Sequence, residues 1–202
     1  MAKSSVMLGM GAAFGVALAT AAIVLGLNGV DNKSVRLALE LTARWSFLLF
    51  LLAYAGNALA ALFGWTMLKG RAREFGLSFA SAHSVHVGLV IWLGIILGRV
   101  PLTGGLLLFF LVALFFTYLL AALSFGGVKA LGAFWPPLRF VGMNYILIAF
   151  ARDFILPVIH PKPDQYNLAH FTAYAPFAAL SIAAPLLVLA VNFRPPAAPK
   201  AA

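Results

Sequence analysis

Apolar residues in this chain fall in long unbroken runs. Six stand out, at about 5–27, 45–68, 75–98, 105–125, 138–159 and 170–193. Each is close to the roughly 20 residues a helix needs to cross hydrocarbon. Strands of a membrane barrel are about half as long and alternate in polarity. In lipid, a run of this length satisfies its backbone only as a helix. The runs are separated by "NGVDNKS" (28–34), "PLTGG" (101–105), "GVKALGAFWPP" (127–137) and "HPKPDQYN" (160–167), rich in turn residues and charge. The pattern predicts an all-α polytopic membrane protein, a bundle of six transmembrane helices forming one domain (1–193), with a disordered tail at 194–202 and no internal repeat.

Composition agrees. Hydrophobic residues make up 63% of the chain and charged residues 9%, against roughly 25% charged in a soluble domain. Such a chain has too little polar surface to cover a water-exposed globule, so the lipid bilayer is the expected partner. The net charge of +9 sits between the runs, where Lys and Arg set orientation. With no basic patch interleaved with aromatics, nucleic acid is not expected as a partner. Six crossings put Lys3, Lys69, Arg71, Arg73, Lys129, Arg139, Arg194 and Lys200 on one side. Lys33, Arg36, Arg44, Arg99 and Lys162 fall on the other. This asymmetry predicts an inner-membrane protein with both termini in the cytoplasm. The absence of cysteine excludes disulfides, thiolate-held metals and thiol catalysis.

The first run, with Lys3 and "ATA" at 19–21, has features of a signal peptide. It is long for one, and we read it as a retained helix. Its Gly11 and Gly15 have the small-xxx-small spacing that suits close helix contact. Trp45, Trp65, Trp92 and Trp135 fall near predicted span ends, as interface aromatics do.

Candidate chemistry centres on "FGLSFASAHSVHVGLVIWL" (75–93). His83 and His86 are three apart on one helix face, near mid-bilayer. Ionisable groups at that depth face the bundle interior or mark function. A neutral imidazole is a good axial ligand for haem iron. It also serves structurally when hydrogen-bonded to a hydroxyl or carbonyl, and the residues alone leave both readings open. In the fifth run Arg152 and Asp153 are adjacent and so point about 100° apart. That spacing predicts that they do not pair ideally with each other and that one reaches another helix or snorkels to the far interface. His160 and His170 are expected in solvent. No hydrolase triad, phosphate loop or dinucleotide fingerprint is present.

"RAREFGLSFASAHSVH" (71–86) resembles the third helix of the ferric-reductase-like transmembrane family, and within it the haem-binding membrane subunit of the methionine sulfoxide reductase system. Arg73, Gly76, Leu77, Phe79 or Ala80, and His86 fall on that helix's pattern. The specific motif covers about sixteen residues; length, six spans, short loops and a basic second loop extend the likeness to the architecture. The resemblance implies haem b, with His86 at the iron-ligand position and His83 as an extra imidazole. It also implies a membrane electron-transfer component that works with a separate redox or membrane-complex protein, since the chain has no flavin or nicotinamide domain. The family's fifth helix resembles W-x-x-L-H with a second His thirteen residues later. Here "WPPLR" (135–139) puts Arg139 at the first of these positions and Arg152 at the second. Guanidinium does not ligate iron. Either haem is held by His86 or His83, with Arg73, Arg139 and Arg152 at cofactor-binding positions, or the chain is a non-catalytic accessory or assembly protein of the same fold that has lost haem. A small-solute transporter is a weaker reading, because paired broken helices are not seen.

Overall fold

The structure, a computed structural model, describes residues 2–161 and 167–193, with side chains from Ser4 onward. The tail at 194–202 and Lys162 lie outside the described residues. The rest is helical, without strands among the described residues: α1 Ala2–Asn28, α2 Asn32–Phe63, α3 Ala72–Leu97, α4 Gly104–Ala122, α5 Val128–Leu131, α6 Trp135–Ile159 and α7 Leu168–Asn192. Five helical stretches are long and apolar enough to cross a membrane: Ser4–Asn28, Asn32–Phe63, Ala72–Leu97, Gly104–Ile159 and Leu168–Asn192.

The second helix starts well before the apolar run expected at 45–68. Asp31 caps it, its side chain accepting the Ser34 amide at 2.8 Å. That hydrogen bond holds the Asp31 carboxyl below the ordinary carboxylate range. Charges at Arg36, Glu40 and Arg44 interrupt the apolar pattern but not the helix. They are spaced by four, and Arg36 bonds Asn32 while Arg44 pairs with Glu40. The helix ends at Gly64, whose φ of 73° needs no Cβ.

The loop expected at 127–137 is instead helical. After α4 the chain makes one wide turn at Leu123–Gly127, then α5 and a tight turn at Gly132–Phe134, and enters α6 directly. Gly132 (φ 49°) makes the bend. Pro136 and Pro137 sit in the first turn of α6, where their missing amides cost nothing. The stretch folds back on itself. Tyr145 donates to the Phe109 carbonyl at 3.2 Å, and Gly142 lets α6 close onto Phe116 and Leu120.

Helix α2 is the spine, packed against α1, α3 and α7. Phe47 and Phe50 are fully buried. Phe47 meets Phe150 and Phe154 at 5.3 and 5.0 Å between ring centroids, and Phe50 meets Phe79 at 5.3 Å. In lipid, burial gains little from the hydrophobic effect, so interdigitation of this kind carries the association. Helix α1 docks through Ala13, Ala17 and Ala21, all buried. The expected Gly11 and Gly15 contact is not made: both are exposed, and a Cβ at either would meet open space. Two side chains tie α1 down, Trp45 donating to the Ala13 carbonyl at 3.1 Å and Ser81 to that of Met10 at 3.0 Å. Trp45 is therefore a mid-helix clamp, not an aromatic at a span end.

Candidate functional site

Helix α3 presents His83 and His86 one turn apart. Their rings stack, with centroids 5.1 Å apart and planes 17° apart. Both imidazoles line a cavity of about 440 Å³ that also takes in Glu40, Arg44, Arg152 and Asp153. Its walls are otherwise mainly apolar, from α2, α3, α4, α6 and α7.

The hydrogen bonds of His86 fix its tautomer. Nδ1 lies 3.2 Å from the Leu39 carbonyl and 3.3 Å from Thr42 Oγ1. A carbonyl only accepts, so Nδ1 carries the proton and Nε2 keeps a lone pair. The Thr42 hydroxyl donates to Ala38 at 2.8 Å, leaving its oxygen able to accept. Metal-ligating histidines are held in this way, through the second ring nitrogen on a carbonyl. His83 differs: its Nδ1 is buried without a hydrogen-bond partner, between the rings of Phe79 and Phe150.

The polar end of the cavity is built by α2 and α6. On α2, Arg44 lies 3.4 Å from Glu40 and its guanidinium sits over the rings of Tyr174 and Phe177, at 5.2 and 5.8 Å. Its Nε is buried and unpartnered. On α6, Arg152 pairs with Asp153 at 3.0 Å and lies over Phe110 at 5.6 Å. The expectation of poor pairing, with one reaching elsewhere, is corrected: they pair with each other, the arginine being long enough to fold back across the angle between them. His170 is not free in solvent either, since its Nε2 contacts the Pro157 carbonyl at 3.1 Å and its ring packs on Tyr174.

Arg73 and Arg139 lie elsewhere. They line a second cavity of about 280 Å³, together with Met143. Phe79, Thr117 and Ile146 line both cavities, so the two back onto each other. Sequence reasoning missed Glu40, Arg44 and Tyr174 at the first cavity. The four-residue spacing of Glu40 and Arg44 was the available signal, hidden because that segment reads as a loop.

Among the described residues no group of three His, Asp or Glu side chains is placed to hold a bare metal ion. Haem makes a smaller demand, because the porphyrin supplies the other donors. The His86 tautomer and the apolar cavity with cations at its polar end fit haem gripped from one side. Among the described residues they do not supply a second imidazole from a facing helix, since only those of His83 and His86 line the cavity. Compared with known proteins, the chain matches no family model, no curated protein and no solved structure.

Proposed function

We propose that this chain is a membrane haem-b electron-transfer component of the ferric-reductase-like kind, crossing an inner membrane six times with both termini in the cytoplasm. The fold-back of Gly104–Ile159 supports counting that stretch as two crossings. The observation that carries the functional reading is the anchored Nδ1 of His86, which leaves Nε2 unprotonated at an apolar cavity. Bound haem would supply one-electron chemistry there, with a separate redox protein as the proposed electron donor. His86 would be the residue that holds the group, with the Leu39 carbonyl and Thr42 fixing its ring. Arg152 and Arg44 balance acidic groups at the polar end. The phenylalanines around His83 keep water away from the imidazoles.

The second reading is an accessory membrane protein without haem. It is favoured by the arginines at both fifth-helix ligand positions and by the engagement of Arg152 with Asp153. A pyridine haemochrome assay and reduced-minus-oxidised spectra on detergent-purified protein, expressed with haem precursor, separate the two. Haem b is expected in the wild type and in His83→Ala, and its loss in His86→Ala. A colourless wild type would leave the accessory reading.

A further inference from the structure

The cavity holding Arg73 and Arg139 has a chemistry of its own. Two arginines line it and, among the described residues, no carboxylate does. Arg73 spends only its Nε, donated to the Ser124 carbonyl at 2.9 Å. Arg139 makes no hydrogen bond or ion pair among the described residues. The two segments that build this end, 64–74 and 123–139, carry five cations (Lys69, Arg71, Arg73, Lys129 and Arg139) against one carboxylate, Glu74, which Arg71 already occupies at 2.7 Å. Two cations that no lining carboxylate balances call for an anion.

Other features point to an anion carried by a lipid. Phe50, Phe79, Leu120 and Ile146 form an apolar wall behind the arginines. Phe63, Trp65, Phe125, Phe134 and Phe140 are all exposed at the same end of the bundle, as in an aromatic belt at the membrane interface. Basic pockets between transmembrane helices at that level take anionic headgroups. We infer that the Arg73–Arg139 cavity seats the phosphate of an anionic phospholipid, its acyl chains lying along the apolar wall. This site is separate from the histidine cavity and does not depend on haem.

The test is native mass spectrometry of the full chain in detergent, titrated with phosphatidylglycerol, with phosphatidylcholine and with inorganic phosphate alone. The wild type is expected to retain phosphatidylglycerol preferentially, and inorganic phosphate should not displace it. The double variant Arg73→Gln/Arg139→Gln should bind phosphatidylglycerol about thirtyfold more weakly, the effect of two basic residues facing an anionic headgroup. Arg139→Gln alone breaks no described contact, so it should fold normally and lose part of the preference. Arg73→Lys/Arg139→Lys should keep most of it. His86→Ala should retain the lipid in full, which separates failure here from failure of the haem reading. An unchanged preference in Arg139→Gln and in the double variant would overturn the site. Displacement by inorganic phosphate as readily as by lipid would overturn the lipid assignment in favour of a soluble phosphate.

Discussion

Gly142 is the position at which the approach of α4 and α6 can be measured. A Cβ placed there would lie 3.0 Å from Phe116 Cδ1 and 3.0 Å from Leu120 Cδ1, and 3.4 Å from Leu120 Cγ. Real Cβ atoms rarely come so close. Leu120 is buried and has little room to yield. Gly142→Ala therefore sets an overpacking cost of about 1–3 kcal/mol against about 0.5–1 kcal/mol gained in helix propensity. The net loss is about 0–2.5 kcal/mol. Gly142→Leu adds further carbons with nowhere to go and should reach about 3 kcal/mol or more. For a chain of this length each kcal/mol moves Tm by about 2–4 °C, so the leucine variant should melt about 6–12 °C lower in detergent. The control is Gly88→Ala, on an exposed face where a Cβ meets nothing within 4 Å. It should leave Tm unchanged or raise it slightly. If Gly142→Leu melts with the wild type, α4 and α6 do not touch here, and the proposed count of Gly104–Ile159 as two crossings fails with it.

Ala17→Leu should push α1 off the bundle and lower Tm by several degrees, because Ala17 is fully buried; Gly11→Leu and Gly15→Leu should be neutral in the same melt. The Asp31 carboxylate is stabilised by the Ser34 amide and titrates lower folded than unfolded. Its contribution is therefore present above the unfolded value, near 3.9, and is lost as pH falls through the lower folded value. Asp31→Asn should flatten the acid limb of the stability profile and leave neutral pH nearly unchanged. Arg152→Gln should weaken haem retention on dilution or chelation without abolishing it, as read from the haemochrome yield, whereas a full loss would make Arg152 more than a balancing charge.

The membrane class was legible because an apolar run of membrane length has few alternatives. Positions of individual contacts were less so. The sequence pattern broke at Arg36, Glu40 and Arg44, since charge ordinarily ends a span. Tertiary placement keeps all three on one helix and puts two of them at the cavity. The segment 127–137 read as a loop because glycines and prolines punctuate it, yet prolines in a first helical turn are consistent with helix. Gly11 and Gly15 matched a packing spacing, but the alanines two positions on face the bundle; spacing gives a stripe without saying which stripe is covered. The inward facing of His83 and His86 followed from the cost of imidazole in hydrocarbon. The division of the arginines between two cavities could not, because it depends on where α4 and α6 part.

The shared wall of the two cavities has an electrical consequence. Phe79, Thr117 and Ile146 form the wall that the two cavities share. Were both cavities to fill with water, most of a transmembrane voltage would fall across that shared wall and not over the full bilayer. Charge moving between the histidine side and the arginine side would then cross nearly the whole potential at that wall.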